Sequence, residues 1–157
     1  MKVKKISFLT FLSVLLFLLV GCAEQPVNQT ITESKPELKG YWKSLSYGDG
    51  FEIIGSMYYQ YDDASKSISF AGEIANNASW TASTGFVTVK ITNSGSWSKT
   101  LNEYYVVRWK DFVSSKVKQS SPYKVNGFST VSTKDGAEQE FTEENGYYTF
   151  YGDYVKQ

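Results

Sequence analysis

The side chains that could do chemistry in this chain are few. The single cysteine, Cys22, is the only thiol. It follows a basic start and a long apolar run, with Gly21 immediately before it. There is no histidine, which removes the commonest general base and metal ligand near neutral pH. It also removes Ser-His-Asp and Cys-His nucleophilic arrangements and every His-bearing zinc site. Hydrolysis of a glycoside by paired acids needs two carboxylates across a cleft, and Glu52, Glu73, Asp111 and Asp153 qualify by residue type alone. No glycine-rich phosphate loop, cysteine cluster or calcium loop is present, and Asp62-Asp63 is only two acids in a turn. The expectation is a protein without catalytic residues, metal or cofactor.

Cys22 gains its meaning from its surroundings. Lys2, Lys4 and Lys5 form a positive n-region, and Ile6 to Val20 is apolar apart from Ser7, Thr10 and Ser13. That run is shorter than the ~20 residues a helix needs to cross hydrocarbon. It fits a secretory signal ending at a small residue. Leu19-Val20-Gly21-Cys22 resembles the lipobox of bacterial lipoproteins. The resemblance implies cleavage between Gly21 and Cys22, a thioether diacylglycerol on Cys22, and acylation, such as with palmitate, of the new amine. The expected location is the cell envelope, outside the cytoplasm, with the membrane as partner (outer membrane, periplasm or cell surface). A sole cysteine cannot form an intrachain disulfide, and lipidation disposes of a thiol that an oxidising compartment would attack.

Residues 1–21 hold three of the 16 basic residues and no acid, so the remainder carries 13 basic and 16 acidic side chains, net −3. That balance offers no basic face for nucleic acid. The same stretch contains four Trp, twelve Tyr and seven Phe. Aromatics favour half-buried pleated surfaces, so the bias is towards β structure.

Residues 22–39, with Pro26, Pro36 and many polar side chains, read as a tether that cannot bury enough apolar surface to fold. About 17 such residues span roughly 20–25 Å. A single β domain is expected over residues 40–157. Strands are predicted at Tyr41 to Tyr47, at Phe51 to Tyr61 with Gly55 as a bulge, and at Ser67 to Ala75. In the last of these, Ile68, Phe70, Gly72 and Ile74 share one face. Phe86 to Thr92 alternates with Val87, Val89 and Ile91 inward. Trp97 to Leu101 is a weaker strand, Tyr104 to Lys110 a strong one, and Tyr123 to Val131 and Tyr147 to Lys156 complete the set. Val113 to Lys118 reads as a helical turn and loop, and Asp135 to Glu144 as the one helix, anchored by Phe141 and stopped at Gly146. The spacing predicts an all-β fold, an antiparallel up-and-down barrel of about eight strands plus one short helix near the C-terminus; the alternative is a β-sandwich.

Gly40-Tyr41-Trp42 resembles the Gly-x-Trp opening motif of lipocalins and related calycin barrels. The resemblance implies that Trp42 packs across the closed end, under an Arg from the final strand. The only Arg, Arg108, lies too early for that, and Lys156 alone is near the end. The Thr-Asp-Tyr motif of that family is not evident. Trp109-Lys110-Asp111 and Gly146-Tyr147-Tyr148 resemble small surface lipoproteins of spirochaetes, a group that implies no particular activity.

Candidates for ligand binding or core are therefore Trp42, Tyr104, Arg108 and Trp109. Alternation puts Tyr104, Val106 and Arg108 on one face, and Tyr105, Val107 and Trp109 on the other. If the first face is interior, Arg108 needs an anion such as a ligand, Glu52 or Glu73; if exterior, it is a solvated cation stacked on Tyr104. The tyrosines at 58, 59, 61, 104, 105, 147, 148, 151 and 154 are too many for one core, so some are expected to form adhesive surface. The expected function is non-enzymatic binding of a small apolar or amphipathic ligand in the barrel mouth. The alternative is a surface lipoprotein that contacts a protein or glycan through exposed aromatics.

Overall fold

The computed structural model describes residues 36–157; the leader, the Leu19–Cys22 motif and the chain up to residue 35 lie outside the described residues. Eight strands follow in chain order: β1 (Gly40–Ser44), β2 (Gly50–Ile54), β3 (Met57–Tyr61), β4 (Ile68–Ile74), β5 (Gly85–Asn93), β6 (Tyr104–Val113), β7 (Lys116–Ser120) and β8 (Gly152–Lys156). Each is antiparallel to the next, and β8 returns to pair with β1, Trp42 opposite Lys156. The sheet is thus a closed up-and-down barrel rather than a sandwich, and closure leaves no free edge on its aromatic-rich strands.

Alternation along the strands fills the interior. Phe51 and Ile53 of β2, Tyr58 and Gln60 of β3, Phe70 of β4 and Val87, Val89 and Ile91 of β5 are all buried. So are Tyr105, Val107 and Trp109 of β6, Val117 and Gln119 of β7 and Tyr154 of β8. Rings interlock through them: Phe51 stacks on Trp42 and Tyr58, and Tyr58 on Phe70. Eight strands enclose a space that side chains can just fill, or that can spare room for one small ligand.

One end is closed by the motif around Trp42, which is 0% exposed. Its indole Nε1 donates to the Leu38 carbonyl at 2.7 Å. Lys156 takes the place of the expected Arg: its Nζ lies 5.6 Å from the Trp42 ring centroid and donates to the Glu37 carbonyl at 2.6 Å. Gly40 is required at the motif's start because its φ is +103° and the Lys156 stem would lie 3.3 Å from a Cβ there. Leu38, 2% exposed, is part of this seal and its amide donates to Trp80 O at 2.8 Å. The folded part therefore begins before Gly40, and the tether reading through residue 39 runs too far.

The opposite end carries the β1–β2, β3–β4 and β5–β6 loops and the long connection 121–151. Within that connection lies α1 (Lys134–Glu140), whose N-terminus is capped by Thr133 Oγ1 accepting from the Gly136 amide at 3.2 Å. Phe141, directly after it, is buried between Tyr105 and Tyr147, the anchor its apolar character predicted. The helix is shorter than the expected Asp135 to Glu144 and ends well before Gly146.

Four local expectations are corrected. Gly55 is no bulge: with φ +57° it forms, with Ser56, the turn that divides Phe51 to Tyr61 into β2 and β3. Val113 to Lys118 holds no helical turn; Ser114 and Ser115 are a hairpin turn, and β7 follows. Trp97 to Leu101 is a series of turns, not a strand. Tyr123 to Val131 is irregular and touches the sheet only through one bridge between Val131 and Tyr104.

Candidate functional site: the barrel mouth

The open end holds a cavity of about 240 Å³. Its floor comes from the barrel interior: Gln60 on β3, Gln119 on β7 and Tyr154 on β8. Its wall comes from the loops: Tyr47 and Asp49 from β1–β2, Trp97 from β5–β6, and Ser121, Tyr123, Tyr147 and Phe150 from the long connection. Further hollows of about 340 and 310 Å³ lie at the α1 side and at the closed end, formed largely by loop residues, and neither is lined by the barrel's glutamines.

Below the cavity a polar chain is set among rings. Tyr58 OH donates to Gln60 Oε1 at 2.7 Å, and Gln119 Nε2 donates to Tyr58 OH at 3.2 Å. Burial first, then the neighbouring Tyr154, pushes the Tyr58 hydroxyl well above its ordinary range, so it remains a donor. Tyr154 OH donates to Asp49 Oδ2 at 2.7 Å. Burial and the Asp49 charge likewise raise the Tyr154 hydroxyl. The other Asp49 oxygen, Oδ1, is buried with no hydrogen-bond partner among the described residues.

The loops that carry the wall are held in place individually. The Trp97 amide donates to Ser69 O at 3.0 Å, and its ring leans on Phe70. Tyr47 and Phe150, from different loops, meet edge to face at 6.1 Å. The Tyr123 amide donates to Tyr147 O at 2.9 Å, and Ser120 Oγ donates to Phe150 O at 2.5 Å. Beside the mouth, Lys99 is buried with its ammonium 4.0 Å from the Tyr105 ring centroid and bonded to Ser129 O at 3.3 Å. Desolvation lowers its pKa from 10.5 to about 8.

The four residues singled out in the sequence do not converge on this cavity. Trp42 and Trp109 are core, and Trp109 Nε1 donates to Ala82 O at 3.1 Å near the closed end. Tyr104 and Arg108 lie on the outer wall of β6, since Tyr105, Val107 and Trp109 take the interior face. Arg108 is not stacked on Tyr104 as expected: its guanidinium sits between Phe86, at 5.4 Å, and Tyr148, at 5.2 Å. The acids weighed for hydrolysis are also outside. Glu52 binds Tyr61 OH and Lys66, Asp111 pairs with Lys118, and Glu73 and Asp153 are exposed.

Sequence reasoning missed Asp49, Gln60, Gln119 and the rim rings Tyr47, Tyr123 and Phe150. Of the nine tyrosines judged too many for one core, 58, 61, 105, 147, 148 and 154 are buried and 59, 104 and 151 are half-buried, so none of them forms the expected exposed surface. The exposed tyrosines, Tyr47 at 68% and Tyr123 at 72%, lie outside that set. The turn Gly48-Asp49-Gly50 gave only a hairpin signal, with no cue that its acid leans inward.

Fold and site together define a small closed antiparallel β-barrel with a cavity of about 240 Å³ at one end. Comparison with protein-family models, curated proteins and solved structures finds no match to the chain.

Proposed function

We propose that the protein is a lipid-anchored, extracytoplasmic binding protein, not an enzyme, that takes a small amphipathic ligand into the mouth of its barrel. The observation that carries this reading is the 240 Å³ cavity, with rings and the Asp49 carboxylate on its wall and amide groups on its floor. Binding sites of this kind are concave and mostly apolar with a few placed polar groups. The volume falls below the about 300–1,000 Å³ usual for drug-sized ligands, so the occupant is a metabolite-sized molecule. The anchor rests on the lipobox resemblance at Leu19-Val20-Gly21-Cys22. Two or three acyl chains give the more-than-one attachment that stable membrane retention requires.

Titration with the neutral probe N-phenyl-1-naphthylamine tests the binding half of this reading. Saturable fluorescence enhancement by the protein, lost when Ser121→Trp fills the cavity, is expected. Enhancement that never saturates, or that the variant leaves unchanged, contradicts it.

A second reading has its own observation. Tyr47, Tyr123, Val125, Phe128 and Phe150 are all more than half exposed and all lie on the mouth loops. Clustered exposed aromatics suit contact with a protein or glycan. Cross-linking of the intact cell envelope, with Tyr123→Ser as control, separates this reading from the first.

A further inference from the structure

We propose that the mouth cavity is selective for small organic cations carrying an N–H donor, such as primary amines on an apolar body, with Asp49 as their anionic partner. This deepens, and rests on, the reading of the mouth as a small-ligand site. Among the described residues Asp49 is the one charged residue lining the cavity, so no cation of that lining neutralises it. Its Oδ2 is occupied by Tyr154 OH at 2.7 Å. Its Oδ1 is out of water and has no donor. A carboxylate oxygen left so is costly, and a ligand donor towards which the Asp49 carboxylate turns from its place on the cavity wall removes that cost. An ammonium group does this better than a hydroxyl, because the bond is then assisted by charge on both sides.

The surrounding rings favour the same chemistry. Tyr47, Trp97, Tyr123, Tyr147 and Phe150 line the wall; Trp97 and Tyr147 already face Lys99 and Lys124 at 5.7 and 5.4 Å, which leaves Tyr47, Tyr123 and Phe150, and aromatic faces attract cations, most strongly where water is excluded. An anionic ligand meets the opposite conditions, with a carboxylate and negative ring faces and, among the described residues, no Lys or Arg in the lining. The Gln60 amide nitrogen and the Ser121 hydroxyl suit a further polar group on the ligand rather than a full negative charge, since the Gln119 amide nitrogen already donates to Tyr58 OH and Ser121 Oγ.

Calorimetric titration of the full-length protein in a neutral detergent, with three probes of matched size, tests this. Phenethylamine is expected to bind at least ten-fold more tightly than phenethyl alcohol, and 3-phenylpropanoate not measurably. Asp49→Asn, nearly the same shape without the charge, is expected to reduce the preference for the amine below two-fold. Equal affinity for amine and alcohol overturns the cation assignment while leaving the small-ligand reading standing. No binding of the amine, or an undiminished preference in a folded Asp49→Asn protein, also overturns it. The three-probe comparison on the unaltered protein decides the matter even if the variant does not fold.

Discussion

Tyr154 and Asp49 stand 105 residues apart in the chain and are joined by a 2.7 Å hydrogen bond from the phenol to Oδ2. The bond fastens the closing strand to the β1–β2 turn at the mouth, so it serves both the barrel's closure and the cavity's shape. The ring of Tyr154 is separately held edge to face against Phe51 at 5.3 Å. Tyr154→Phe should keep that packing and lose only the bond, at a cost of about 1.5–3 kcal/mol for a hydrogen bond to a charged group. Urea unfolding of the two proteins measures it, and equal midpoints would show the bond to be energetically idle.

At the other end, Trp42 and Lys156 form the seal. Trp42→Ala should destabilise by about 3–5 kcal/mol, as for other buried aromatics. Lys156→Met removes the cation over the indole and the donor to Glu37 O, and should cost about 1–3 kcal/mol. Lys156→Arg should restore most of that loss. Thermal melts decide it: a Met variant as stable as the parent would mean that the cation contributes nothing.

The pH profile of stability should show two opposed limbs. Lys99 titrates near 8 in the fold against an ordinary 10.5, so the unfolded chain holds that proton more tightly. Stability should therefore rise as pH climbs from about 8 towards 10. Tyr58, Tyr105, Tyr148 and Tyr154 behave the other way, since burial raises each hydroxyl above the ordinary value of 10.0. Their contribution is present below about pH 10 and is lost above it, giving a steep alkaline transition. Denaturant midpoints taken across this range should show both limbs, and Lys99→Met should flatten the first while sparing the second. A rise that survives in Lys99→Met would assign it to another group.

Cys22→Ala should abolish acylation and membrane retention. Metabolic labelling with a radioactive fatty acid reads both: label on the parent and none on the variant is expected. Label persisting on the variant would remove the lipoprotein reading.

The barrel itself was legible where strands bury one face in simple alternation. Val87, Val89 and Ile91 point inward as their spacing implied, whereas in Ile68 to Ile74 the register shifts between Ala71 and Gly72, and Ser69 and Ala71 are buried along with Phe70. β7 was hidden because one of its inward residues is Gln119, which looks like a surface residue until its amide is seen bonded to Tyr58. Tyr123 to Val131 misled in the opposite sense: its apolar residues mimic a strand, yet Tyr123, Val125 and Phe128 are exposed on the mouth loops. Strand number survived because the split at Gly55 and the gain of β7 offset the two lost strands. The site was less legible. Its wall is assembled from loops far apart in sequence, and single-strand periodicity carries no information about which loop residues will meet. Lys156 was visible only through the resemblance at Gly40-Tyr41-Trp42, which asked for a cation at that place.

The central claim is that the mouth holds a small molecule in the cell. Native mass spectrometry of the protein, gently extracted from the membranes of the cells that make it, tests this most directly. The predicted result is an additional non-covalent mass of metabolite size on the parent protein, absent from Ser121→Trp prepared in parallel. A spectrum showing only the bare protein, or the same added mass on the filled variant, would contradict it.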